Sequence, residues 1–168
     1  MKKRLLLFLI PILLFSGCTV SYKFNGASID YTKVKTISIL DFSNQATLVY
    51  GPLSQKFTEC LKDMYSKQTK LRLVQRDGNL NIEGEIVGYD LTPMATQADG
   101  YASETRLTMT VNVRYSNSTK PEENFEERFS ANRNFDASKM LESVQDELIE
   151  ALDQEIAESI FNKTVANW

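Results

Sequence analysis

LTMTVNVRY, residues 107–115, alternates without a break. Leu107, Met109, Val111, Val113 and Tyr115 fall on one parity, and Thr108, Thr110, Asn112 and Arg114 on the other. Successive side chains of a strand point to opposite faces, so this run is a strand with one buried and one wet face. That pattern belongs to an antiparallel sheet. Strands of a parallel sheet are covered on both sides and read as continuous apolar runs.

The neighbours downstream and upstream fit the same sheet. After a turn over Ser116 to Asn124, Phe125, Phe129, Ala131 and Phe135 alternate with Glu126, Arg128, Ser130 and Asn132. This is a partner strand. Upstream, Leu80 to Leu91 reads as a strand in which Leu80, Ile82 and Ile86 share a face, while Val87, Tyr89 and Leu91 take the other. Gly84 and Gly88 sit where the pattern switches and mark a bulge or bend. The connection Thr92 to Ser103 (TPMATQADGYAS) is long for a hairpin and is therefore a functional candidate. Leu71 to Val74 is a short strand, followed by Arg76-Asp77-Gly78-Asn79, a turn whose Gly and Asn accept positive φ. Lys33 to Phe42 (KVKTISILDF) reads as a strand with apolar residues on both parities, and Ser43 to Tyr50 as a loop.

Two helices flank these strands. Gly51-Pro52 opens the first, since proline suits the first helical position. Leu53, Phe57, Cys60, Leu61 and Met64 form its apolar stripe, with Lys56, Glu59, Lys62 and Asp63 on the wet side. Ser138 caps the second, with Asp136 near its positive end. Its stripe is Leu141, Val144, Leu148, Leu152, Ile156 and Ile160, widened by Ile149 and Phe161. Glu142, Asp146, Glu147, Glu150, Asp153, Glu155 and Glu158 fill the outer side as solvated surface. The order predicts an α+β two-layer sandwich: two amphipathic helices packed on one face of a mainly antiparallel four- to five-stranded sheet. The face carrying Thr108, Thr110, Asn112 and Arg114 is left to water or a partner.

The start of the chain has a different character. Lys2, Lys3 and Arg4 precede an apolar run from Leu5 to Phe15, then the small Ser16 and Gly17, then Cys18. This is the order of a bacterial lipoprotein signal, and its apolar core is shorter than the roughly 20 residues of a spanning helix. Residues 1–17 are expected to be a cleaved signal peptide. Residues 18–31 are then the lipidated N-terminus and tether, and 32–168 a single α+β domain. Acylation of Cys18 implies a membrane anchor, at about 0.8 kcal/mol for each buried CH₂. The tether carries no acidic run of the kind some phyla use for surface export, so the periplasmic face is expected. These residues alone lead to the expectation of a lipid-anchored protein facing the periplasm.

Composition excludes several function classes. The chain has 42% hydrophobic and 24% charged residues, ordinary for a globular domain. Its net charge is -3, and without Lys2, Lys3 and Arg4 the 16 remaining basic residues face 22 acidic ones. That balance is opposite to that of a nucleic-acid binder. There is no histidine, which removes Ser-His-Asp and Cys-His catalysis and His-ligated zinc. With Cys18 acylated, Cys60 has no disulfide partner and reads as a small buried hydrophobe. No phosphate loop or metal-ligand spacing is present, no cofactor is implied, and the chain is not read as an enzyme. A calcium site at Glu122-Glu123 and Glu126-Glu127 is a minor alternative. Arg106, Arg114 and Arg128 fall on the wet parity of adjacent strands. They form either a cationic strip for an anionic headgroup, with Thr108, Thr110 and Asn112 between, or cross-strand pairs with Glu126 and Glu104 that keep the face soluble.

Several strings resemble a known family. The signal, Tyr22 to Ile29 (YKFNGASI), Lys35 to Phe42 (KTISILDF), Leu53 to Met64 (LSQKFTECLKDM) and Ile160 to Trp168 (IFNKTVANW) resemble the lipopolysaccharide-assembly lipoprotein family LptE, of the Bacteroidetes type. The resemblance implies two helices on a four-stranded sheet. It also implies a place inside the lumen of the LptD β-barrel at the outer membrane, as plug and assembly aid, with lipopolysaccharide engaged during export. No motif transfers the lipopolysaccharide-contacting residues of the family to positions here. The competing expectation is a free-standing periplasmic lipoprotein that binds a lipid or peptide on its open sheet face.

Overall fold

A computed structural model describes residues 29–94 and 104–165. In chain order the elements are β1 (Thr36–Ile39), β2 (Ser43–Asn44), α1 (Leu53–Gln68), β3 (Arg72–Val74), β4 (Leu80–Pro93), β5 (Glu104–Asn117), β6 (Phe125–Asp136) and α2 (Leu141–Thr164). The six strands form one sheet in the order β3-β1-β4-β5-β6, with β2 paired to β4 beside β1. Cys18, the signal peptide and residues 95–103 of the long connection lie outside the described residues.

The sheet is mixed. β4, β5 and β6 form an antiparallel meander, while β1 runs parallel to both β3 and β4. The cause is connectivity: β1 reaches β3 through α1, and a helical crossover joins parallel strands. The first strand is also shorter than the sequence suggests. Only Thr36–Ile39 pairs, although Val34 and Phe42 beyond its ends are buried at 4% and 1% exposure. The loop after it contains β2, a two-residue continuation of the same edge that pairs with Glu85 and Ile86.

The bulge corrects the simple reading of β4. The register with β5 shifts between Ile86 and Gly88, so Tyr89 lies opposite Met109. Strict alternation put Tyr89 and Leu91 on the opposite face from Ile86. One extra residue restores the parity and sets both on the side of the helices, although Leu91, opposite Leu107, is exposed there. Tyr89 is then fully buried, and its hydroxyl accepts a hydrogen bond from Gln145 Nε2 of α2 at 2.8 Å.

At the tight turn, Asp77 carries the positive φ of 56° rather than Gly78 or Asn79. Gly78 is needed for space, since a Cβ there would lie 2.6 Å from both Ser38 N and Leu80 O. Asn79 ties the turn to β1: its Oδ1 accepts from the Lys35 amide at 3.0 Å and the Thr36 amide at 3.2 Å. Ser138 is not the cap of α2. Asp136 Oδ1 accepts from the Ser138 amide at 2.8 Å and its hydroxyl at 2.6 Å, which closes a local turn. The helix starts later, at Leu141.

Both helices lie on the face of Leu107, Met109, Val111, Val113 and Tyr115. α1 presents Leu53, Phe57 and Leu61, and α2 presents Ile149, Leu152, Ile156 and Ile160, all at 1% exposure or less. Burying each such side chain contributes about 1.5–3 kcal/mol. Phe42 packs edge-on against Phe57 with centroids 5.0 Å apart, and Tyr65 against Phe161 at 5.2 Å. One residue assigned by sequence to the acidic outer face of α2 is buried here: Asp153, at 3% exposure.

Candidate functional site

All six candidate residues of β5 and β6 lie on the open face of the sheet. In register across it, Arg106 lies opposite Asn134, Thr108 opposite Asn132, Thr110 opposite Ser130, Asn112 opposite Arg128, and Arg114 opposite Glu126. On the other side β4 sets Thr92, Asp90, Gly88, Glu85 and Glu83 opposite the same β5 residues. Alternation places them there, because the even-numbered positions of β5 all point away from the helices.

Pairing dominates the chemistry of this face. Arg114 bridges two carboxylates, with Nη1 2.8 Å from Glu83 Oε1 and Nε 3.3 Å from Glu126 Oε2. Glu126 also accepts from Asn112 Nδ2 at 3.0 Å. Those contacts, Asn112 first and Arg114 next, hold the Glu126 carboxyl below the usual range. The hydrogen bonds that Arg114 donates to Glu83 and Glu126 in turn raise its guanidinium above the ordinary value. Arg106 Nε donates to Asn134 Oδ1 at 3.1 Å, and Asn134 passes the contact on to Glu104 Oε2 at 2.9 Å. Thr110 and Ser130 join by their hydroxyls at 3.0 Å. Arg128 is exposed and makes no ion pair among the described residues.

A purely cationic strip is therefore absent. Glu83, Glu85, Asp90 and Glu126 interleave with the three arginines on the same face. The arginines are also dispersed: Arg106 and Arg114 are eight positions apart on one strand, about 27 Å at 3.4 Å per residue. No single phosphate spans that distance. The geometry matches the cross-strand reading, with Arg114 directly on Glu126 and Arg106 reaching Glu104 through Asn134. A shallow groove at the β1–β4–β5 end of this face is lined by Ser38, Asn81, Glu83, Arg114 and Ser116, with Arg76 and Asp77 at its rim.

The calcium alternative fails on geometry. Glu126 points to the open face, while Glu127 sits on the covered side with Lys163 Nζ at 3.1 Å. Glu123 is taken by Lys120 at 2.7 Å and Asn117 Nδ2 at 2.9 Å. Among the described residues no group of three or more acidic or cysteine side chains is placed to hold a metal ion. Among them, too, no helix is long and apolar enough to cross a membrane.

Two groups on the helical side stand out. Burial pushes the Cys60 thiol up to about 11, aided by Asp153, so it stays protonated and unreactive at neutral pH. Asp153 faces the seam between α1 and α2, and its Oδ1 has no hydrogen-bond partner. Burial lifts its carboxyl to about 7, against a smaller downward pull from Lys56. The sequence held a trace of this. Ile149, Asp153, Ile156 and Ile160 step by 4, 3 and 4, so Asp153 lies on the widened apolar stripe.

A family model described as LptE, lipopolysaccharide-assembly, matches residues 34–164. No curated protein matches the chain in sequence. Among solved structures, rare lipoprotein B from Shewanella oneidensis is similar with a TM-score of 0.54 at 12% identity, over 74% of this chain and 92% of its own. A hypothetical protein from Chlamydia trachomatis has a TM-score of 0.55 at 12% identity, over 77% and 94%. A protein from Xanthomonas campestris has a TM-score of 0.53 at 9% identity, over 76% and 84%. At such identities the likeness is one of fold.

Proposed function

We propose that this chain, which belongs to the LptE family of lipopolysaccharide-assembly proteins, is an outer-membrane lipoprotein that assembles with an LptD-type β-barrel and occupies its lumen while lipopolysaccharide enters the outer leaflet. The family match over residues 34–164 carries the reading, because it spans nearly the whole described domain. The role is non-catalytic. The chain has no histidine, and its thiol, at the half-buried Cys60, is held protonated.

The open face supports the lumenal part of the proposal. Barrel interiors are polar, and this face offers Arg106, Thr108, Thr110, Asn112, Arg114 and Arg128 between paired carboxylates. A ladder of ion pairs and hydroxyls can exchange partners with another polar wall at little cost, since each group is already solvated. A free-standing lipid binder would instead need an apolar groove here. The anchor completes the reading. Residues 1–17 are removed, Cys18 carries the lipid, 18–31 form the tether, and 32–168 form one domain confined to the periplasmic side of the membrane. Whether lipopolysaccharide touches the arginines directly is part of the same proposal.

Mild-detergent extraction of the full-length, affinity-tagged lipoprotein tests it. Co-purification of a large outer-membrane barrel is expected, and depletion of the lipoprotein should leave lipopolysaccharide in the inner membrane. Recovery without any such barrel overturns the proposal. An unmodified Cys18 in mass spectrometry overturns the anchor.

A further inference from the structure

α1 and α2 lie side by side over the covered face, and their seam is pinned at both ends. Near the start of the helices, Asp146 takes Lys56 Nζ at 2.6 Å and the Tyr50 hydroxyl at 2.5 Å. Near their ends, the Tyr65 and Thr164 hydroxyls share a buried hydrogen bond, and Tyr65 packs on Phe161. Between these pins the polar contacts are weak. The Cys60 thiol donates to Gln154 Oε1 at 3.9 Å. The neighbouring Asp153 is 3% exposed, and its Oδ1 has no partner.

A buried carboxyl without hydrogen bonds tolerates its neutral form far better than its charged one. The groups around Asp153 and Cys60 do not redress this. They are Lys56 and Asp63 on α1, Glu150 and Glu158 on α2, and Tyr89 on β4. Lys56 is the one cation among them, and Asp146 already holds it. Burial therefore lifts the titration of Asp153 to about 7. Above that pH the seam contains an ion with no counter-charge. Water is the available relief, and it reaches Oδ1 only where the helices separate. The two pins confine such a separation to the middle of the seam.

We propose that the α1–α2 seam is a proton-controlled joint: with Asp153 protonated the helices close over Cys60, and with it ionised water enters and they part there while the sheet stays formed. The inference rests on the seam alone, so its failure leaves the proposed function untouched.

Labelling of the full-length lipoprotein in mild detergent with N-ethylmaleimide tests it, read at Cys60 by peptide mass spectrometry and compared with Asp153→Asn at each pH. The thiolate fraction rises with pH in both proteins, so the ratio of their rates isolates the seam. In a seam that stays closed, the wild type is the slower at high pH, because the Asp153 carboxylate disfavours the thiolate. The expected result is equal rates near about pH 5.5 and a wild type at least about fivefold faster near about pH 8.5. A ratio that does not rise with pH overturns the proposal. Asp153→Leu, equally uncharged, is expected to label as slowly as Asp153→Asn, and labelling of either variant as fast as the wild type at the higher pH overturns it too. Circular dichroism of the same samples is expected to show an intact fold throughout. Global unfolding of the wild type at the higher pH overturns a local opening.

Discussion

Val111 and Thr110 are adjacent on β5, and they show how differently the two faces of this sheet are held. Val111 is fully buried beneath the helices, opposite Ile86 and Phe129. Thr110 stands on the open face, with Ser130 Oγ at 3.0 Å. The covered face is stabilised by area removed from water and by close packing, so its residues are constrained in size and polarity. The open face is held by solvent-screened pairs that add little to stability. The lesson is that the open face is free to vary for the sake of a partner, while the covered face is not.

Charge placed on each face gives the widest contrast. Val111→Asp puts an unpaired carboxylate in the core and is expected to cost more than about 4 kcal/mol, enough to prevent folding. Thr110→Asp, one residue away, is expected to stay within about 0.5 kcal/mol. Urea titration followed by circular dichroism checks both, and equal losses would erase the distinction between the faces.

Asp153 is the place where the covered face breaks its own rule. Its folded pKa of about 7 lies above the ordinary carboxylate value of 3.8. The folded state therefore holds the proton more tightly than the unfolded chain does. Stability from this group is fully present below pH 3.8 and is lost as pH rises through about 7. At 1.36 kcal/mol per pKa unit the swing is at most about 4 kcal/mol. Asp153→Asn should flatten the stability curve between pH 4 and 7 and raise stability at pH 8. An unchanged curve would show that another group sets the pH dependence.

Gly84 tests how closely the faces are built around the backbone. A Cβ there would lie 2.1 Å from Asn112 O and 2.7 Å from the Phe42 ring. Gly84→Ala is expected to cost about 1–3 kcal/mol through forced displacement of β5 and Phe42. A neutral result in thermal melts would mean the strands separate easily at this point. The smallest effect belongs to Arg114→Ala. It frees Glu83 and Glu126 on a solvated surface, so the melting temperature should not move measurably. Under the proposed function, co-purification of the barrel should nevertheless weaken. Loss of stability without loss of partner would invert the division of labour between the faces.

Much of the covered face was legible in the sequence. The alternation from Leu107 to Tyr115 and the stripe from Leu53 to Met64 identify core positions, because periods of 2 and 3.6 residues follow from local backbone geometry. The candidate residues of β5 and β6 were placed on a common face by the same rule. What they do together was not legible. Whether Arg114 meets Glu83 depends on which strand lies beside β5 and in what register. Tyr89 was misassigned because a single extra residue at the bulge reverses parity, and Asp153 because a charged side chain on a helix is ordinarily solvated.

The sequence by itself determined the two amphipathic helices, the antiparallel meander, the absence of histidine chemistry and the polar character of one sheet face. These are properties of residue type and spacing along a local backbone. Only the tertiary structure decided that β1 runs parallel to its neighbours, that an acid lies buried between α1 and α2, that Arg114 is bridged by Glu83 and Glu126, and that β6 closes one side of the sheet among the described residues. Each of these depends on contacts between residues far apart in the chain, and local periodicity carries no information about which distant segments meet.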